Sequence, residues 1–189
     1  MEKVNLRRLL KLGLIAEVLI VLFSFFQANY IISETMRMSA RYSGRLSLFF
    51  FLGTFLLTSL NWSKRRTEFK QNFVGLILIF SLLHFIHFLF LATNIYLNEI
   101  ELIPFKLLGG GFGYLTLLIY PWLLKSKNPP TWLDYFYFYY LLLIMVITIL
   151  SRLSGAFEGA EPSLLHYLGL ILIGSTLLIH LFHLKKHNS

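Results

Sequence analysis

The chain has 189 residues, 57% of them hydrophobic and only 14% charged, with a formal net charge of +8 and no cysteine. An ordinary soluble domain carries about 25% charged residues, and the apolar residues here come in long blocks, so the composition excludes a soluble enzyme in favour of a membrane bundle. The missing thiols exclude disulfides, thiolate-bound zinc and iron–sulfur clusters.

Six blocks are long enough to cross a bilayer, which requires about 20 residues each. They run from about Leu9 to Ile32, Leu46 to Trp62, Phe73 to Leu91, Leu102 to Leu124, Trp132 to Leu150 and Ser163 to Leu184. Each is expected to be helical, because a lipid-exposed backbone has to satisfy its own hydrogen bonds and no barrel-strand alternation is present. The expected fold class is therefore all-α, a polytopic membrane helix bundle forming one domain over residues 1–189.

Lys and Arg set the orientation. With the N-terminus inside, twelve of them fall on the inner side, in clusters such as Arg7-Arg8, Lys64-Arg65-Arg66 and Lys185-Lys186, against five on the outer side, Arg37, Arg41, Arg45, Lys106 and Arg152. Both termini are expected to be cytoplasmic, with Glu99, Glu101, Glu158 and Glu161 outside. Basic clusters at span ends point to the lipid bilayer as partner, and the lack of one continuous basic face argues against nucleic acid. The basic, apolar N-terminal stretch is too long for a signal peptide and has no clear small-residue cleavage site. It is expected to be retained as the first span, in a bacterial inner membrane.

In chain order, the first span carries Glu17, either a proton-relay or ion-binding carboxyl or a carboxyl near the inner interface, neutral or paired with a neighbouring Lys or Arg. Between the first two spans Arg37, Arg41 and Arg45 are four residues apart, a cationic stripe if helical. It suits anionic groups, which guanidinium forks match well, or lipid phosphate reached by snorkelling. The basic run Arg65-Arg66-Thr67-Glu68-Phe69-Lys70 leads into the third span, with His84 and His87 one turn apart. The fourth span contains Gly109-Gly110-Gly111-Phe112-Gly113, suited to close helix packing or to a flat cofactor against bare backbone. Pro121 is expected to kink its last turn, and Asn128-Pro129-Pro130 to form a turn. Seven aromatics between Trp132 and Tyr140 read as an interfacial belt. The sixth span carries His166, His180 and His183, with His187 in the tail; the last three read as interfacial.

Histidines on separate transmembrane helices are the usual axial ligands of b-type haem. Counted from the span centres, His84 and His87 lie about 3 and 7 Å toward the outside and His166 about 12 Å in the same direction. One outer haem held by His84 or His87 together with His166 is compatible with that arithmetic, and the arginine stripe is on the side its propionates would face. No nucleophile–base pair, zincin motif, phosphate loop or paired-carboxylate site is present, which argues against a hydrolase.

Over residues 37 to 152 the order of motifs resembles the ferric reductase-like transmembrane domain family, six-helix cytochrome b-type membrane proteins. The likeness is carried by Arg41-Tyr42-Ser43-Gly44-Arg45, by Arg65-Arg66, by Leu83-His84 with His87, by Gly110-Gly111 with Tyr114, and by Trp132. The resemblance implies electron transfer across the membrane through haem b, with His84, His87 and His166 as candidate iron ligands and Arg41 and Arg45 as propionate partners. It also implies a separate electron-donor protein, since these residues include no flavin or nicotinamide domain. The chain departs from the family in the fifth span, where Tyr135-Phe136 stands in place of Leu-His. Either His166 substitutes for that ligand or haem binding has been lost. The alternative is a membrane protein without haem, an assembly partner or a small-solute carrier.

Overall fold

A computed structural model describes residues 4–101, 104–126, 129–155 and 162–188, leaving aside the side chains of 104–107, 126 and 186–188. Lys3, Lys106, Lys127, Asn128, Glu158, Glu161, Lys186 and His187, used in the sequence reading, lie outside the described residues or side chains. Among the described residues six α-helices account for nearly all of the structure: α1 Leu6–Gln27, α2 Ile32–Leu60, α3 Lys70–Leu97, α4 Pro104–Ser126, α5 Trp132–Leu153 and α6 Leu164–Asn188. A short 3-10 turn, Trp62–Lys64, follows α2. Five helices, α1, α2, α3, α5 and α6, are long and apolar enough over their described residues to cross a membrane.

Local chemistry explains the boundaries. Asn5 caps α1, its Oδ1 accepting from the Arg8 amide at 3.0 Å, which satisfies one of the free donors at a helix start. The chain reverses after α1 through two left-handed residues, Asn29 and Tyr30 (φ 49° and 66°). Tyr30 holds that conformation with its ring packed edge-on against Phe25 and Phe26, at centroid distances of 5.0 and 5.8 Å. Pro104 opens α4, where a missing N–H costs nothing, and the helix continues past Pro121 to Ser126. Gly155, at φ 72°, ends α5, the left-handed position at which glycine carries no Cβ penalty.

One boundary departs from expectation. The segment around Arg37, Arg41 and Arg45 belongs to α2, which is 29 residues long and begins at Ile32 rather than near Leu46. Hydropathy placed the start too late because the arginines interrupt the apolar run without breaking the helix. Glu34 and Arg37 even pair within its first turns, at 2.6 Å.

The contacts divide the chain into two compact units, Met1–Phe51 with Gln71–Leu107, and Leu52–Lys70 with Leu108–Ser189. In the first unit small residues let α1, α2 and α3 approach closely. A Cβ added to Gly13 would lie 2.8 Å from Leu83 Cδ1, and one added to Gly75 would run into Leu6 Cδ1. Such small-residue contacts are the usual means of packing helices that gain no hydrophobic advantage from leaving lipid.

In the second unit the core is aromatic. Phe55 stacks on Phe138 at 4.8 Å and Tyr120 on Tyr137 at 4.3 Å. Tyr140 donates to the Gly109 carbonyl at 2.8 Å, and a Cβ on Gly109 would lie 3.3 Å from Ile144 Cδ1. Gly109 therefore serves packing of α4 on α5. The expected interfacial belt is divided: Trp132 is exposed, while Tyr137 and Phe138 are core residues.

Candidate functional site

The first unit contains a polar seam. Thr35, Ser39, Ser43 and Ser47 recur every fourth residue along α2, so they share one helix face, and all four are buried. Ser43 Oγ donates to Glu17 Oε1 on α1 at 2.8 Å. Glu17 is only 4% exposed, and its Oε2 is buried without a hydrogen-bond partner among the described residues. Among the described residues Glu17 is held by the Ser43 hydroxyl rather than by a Lys or Arg. Ser24, seven residues along α1, and Ser39 on α2 add two further buried hydroxyl oxygens without partners among the described residues.

One turn further along α2, Ser47 Oγ and His84 Nδ1 are 2.6 Å apart, a hydrogen bond whose direction follows the imidazole tautomer. His87 lies one turn along α3 from His84, with ring centroids 5.4 Å apart. The His87 ring lies on bare backbone, so a Cβ added to Gly44 would be 2.9 Å from its Cε1. Buried Glu17, Ser43 and Ser47 and the half-buried His84 and His87 thus form one polar array built by three helices.

The arginines occupy another part of α2. Arg41 and Arg45 each lie two residues from Ser43, a rotation of about 200° on a helix, which puts them on the side turned away from the seam. Arg37 is bound to Glu34, and the Arg45 guanidinium lies over the Tyr42 ring, 5.4 Å from its centroid.

The second unit holds the other histidines and a network that sequence reading missed. His166 is at the third position of α6, where Nδ1 accepts from the Ser163 backbone amide and lies 3.1 Å from the Ser163 hydroxyl. This is a capping-box arrangement with imidazole in place of the usual Glu or Gln. His180 is only 1% exposed, correcting its reading as interfacial. Its Nδ1 is 2.8 Å from Ser59 Oγ, and Phe55, Trp62 and Tyr139 pack around the ring at 4.7 to 5.8 Å. His183 is half-buried, its Nδ1 3.1 Å from the Ile179 carbonyl oxygen.

Asp134, fully buried on α5, accepts from Arg65 Nε at 2.7 Å and from Arg66 Nε at 2.9 Å. It also accepts from Arg66 Nη2 and from the Tyr120 hydroxyl. Arg65 donates to the Trp62 carbonyl, and Arg66 to the carbonyls of Pro129 and Pro130. Burial opposes the Arg66 charge, but the Asp134 hydrogen bonds and carboxylate outweigh it and raise the guanidinium above its usual pKa. The basic pair expected to be a surface topology signal is therefore also an internal staple. The available signal was an acid in the first turn of an otherwise aromatic helix, matched to a basic pair elsewhere in the chain.

A b-type haem needs two imidazoles on opposite faces of the iron. His84 and His87 are on one helix, one turn apart, and together offer one side of such a site. His166 belongs to the other unit and uses Nδ1 as an acceptor, so its neutral ring carries the proton on Nε2, the nitrogen an iron would take.

No protein-family model, no curated protein and no solved structure matches the chain.

Proposed function

We propose that the protein is a six-span integral membrane protein, with both termini cytoplasmic, whose first unit moves protons as part of a small-solute carrier. The observation that carries this reading is Glu17: a carboxyl within an apolar helix, buried, held by a neutral hydroxyl and retaining one oxygen without a partner among the described residues. Ionisable groups inside a membrane are costly, and those that persist there usually belong to proton or ion pathways.

The chemistry needs no covalent step. Glu17 takes up a proton at Oε2. Ser43 and Ser47 lie one helical turn apart, a rise of about 6 Å, so transfer between them requires more than one bridging water or a change of rotamer. From Ser47 the proton reaches His84 Nδ1, and His87 extends the path along α3. Hydroxyl groups suit this work because each both donates and accepts.

Proteoliposomes loaded with a pH-sensitive dye test the reading. Wild-type protein should speed collapse of an imposed pH gradient, and Glu17→Gln should remove that effect. Equal rates for the two proteins would contradict it.

The second reading is the haem-linked electron transfer implied by the ferric reductase-like resemblance. It is favoured by the Ser47 hydrogen bond to His84 Nδ1, since ligating imidazoles are commonly oriented through their other nitrogen. It requires His166 to leave its cap. A Soret band at about 410–430 nm in purified protein would support it, and a colourless preparation from haem-supplemented cells would remove it.

A further inference from the structure

The first unit has an open groove on its outer surface between α1 and α2, with a volume of about 410 Å³. Its walls are apolar: Leu19, Ile20 and Phe23 from α1, and Leu46 and Phe49 from α2, with Arg45 at one side. Leu19, Phe23 and Phe49 are 58%, 58% and 56% exposed, so the trough faces the surroundings. Exposed apolar side chains on a membrane helix need no explanation in themselves. A guanidinium among them does.

Arg45 lies thirteen residues after the start of α2, about 20 Å along a helix about 43 Å long. That is where the polar first half of α2, with Glu34, Arg37 and Arg41, gives way to the apolar run from Leu46, and an arginine side chain there is costly unless it reaches an interface or a counter-charge. Arg37, nearer the helix start, has Glu34 at 2.6 Å. Arg45 has no carboxylate within ion-pair distance among the described residues. Its guanidinium lies over the Tyr42 ring at 5.4 Å, an arrangement that helps fix its position without neutralising it. Neither wall supplies an acid: Glu17, the nearby carboxyl on α1, gives Oε1 to Ser43 and is only 4% exposed. The next arginine on the same face, Arg41, adds positive charge.

We propose that this groove binds one anionic phospholipid, with an acyl chain along Leu19, Phe23 and Phe49 and the phosphate against Arg45. A long hydrocarbon trough beside a single uncompensated cation complements a molecule with an apolar tail and an anionic head. A guanidinium presents a planar fork that pairs with two phosphate oxygens at once. The occupant supplies the counter-charge that the chain lacks and covers apolar side chains that lie on either side of it. The inference is independent of the proton pathway, because the groove lies on the Arg45 side of α2, turned away from Ser43 and Ser47.

Delipidated full-length protein in detergent, titrated with phosphatidylglycerol or with phosphatidylcholine of the same chain length and followed by native mass spectrometry, tests the proposal. The first phosphatidylglycerol should bind at least about fivefold tighter than the first phosphatidylcholine, the preference expected of one basic side chain at a membrane surface. Arg45→Gln should bring the two lipids level. Arg45→Lys should keep part of the preference, and Arg37→Gln, whose native partner is Glu34, should keep all of it. Equal affinity for both lipids in wild-type protein would overturn the proposal. So would a preference that survives Arg45→Gln, or one lost equally in Arg37→Gln. Tighter binding of a free fatty acid than of phosphatidylglycerol would show that the headgroup chemistry has been assigned wrongly.

Discussion

The Ser43 hydroxyl donates to Glu17 Oε1 at 2.8 Å, joining α1 to α2 through a carboxyl with no cationic partner among the described residues. A carboxyl held this way is free of the ion pair that would otherwise fix its charge. Replacement of Ser43 by Ala should leave the backbone of α2 unchanged, since Ala is the best helix former, while removing one hydrogen bond worth about 1 kcal/mol. The expected result is a correctly folded protein with slowed proton flux. Ser39→Ala, one turn away and not hydrogen-bonded to Glu17, should slow it less.

Asp134 carries the largest stability prediction. It is fully buried and accepts from Arg65, Arg66 and Tyr120, so Asp134→Ala would leave two guanidinium groups without their carboxylate. Breaking a buried ion pair from one side costs about 3–5 kcal/mol, and the variant should lose most of its monodisperse fraction in detergent. Tyr120→Phe removes one donor and leaves both charges paired. Its loss should be about 1 kcal/mol, read as a small fall in thermal midpoint.

The glycines divide by what surrounds them. Gly110 and Gly111 have nothing within 4 Å of an added Cβ, whereas a Cβ on Gly44 would lie 2.9 Å from the His87 ring. Gly110→Ala should raise stability by up to about 1 kcal/mol through helix propensity. Gly44→Ala should displace His87 and lower both stability and proton flux. Thermal unfolding in detergent separates the two.

Much of this fold was legible because bilayer thickness fixes helix length: five of the six helix starts lie within a few residues of the hydrophobic blocks. The start of α2 was not, since hydropathy treats Arg37, Arg41 and Arg45 as an interruption whereas the backbone treats them as helix. The site was legible residue by residue but not as a set. Glu17, His84 and His87 stood out as polar groups in apolar runs, yet Ser43 entered only as part of the Arg41–Arg45 motif and Ser47 not at all, because serine is common and only its recurrence every fourth residue marked a buried face. Asp134 was hidden among aromatics, and its role depends on Arg65 and Arg66, which are far away in sequence. His166 read as a metal ligand by type; its hydrogen bonds to Ser163, three residues earlier, were not read from the sequence.

Topology is testable with single cysteines because the native chain has none. Ser63→Cys, in the exposed turn after α2, should react with an impermeant maleimide only after the cells are permeabilised. Ser154→Cys, exposed at the end of α5, should react in intact cells. The reverse pattern would invert the orientation derived from Lys and Arg counts.

The most direct measurement of the central claim is proton flux in potential-clamped proteoliposomes carrying wild-type or Glu17→Gln protein. Glutamine keeps the shape and still accepts from Ser43, so the comparison isolates the exchangeable proton. The account predicts that wild-type protein collapses the gradient faster than empty vesicles and that Glu17→Gln matches the empty vesicles. Flux in Glu17→Gln equal to wild type would contradict it.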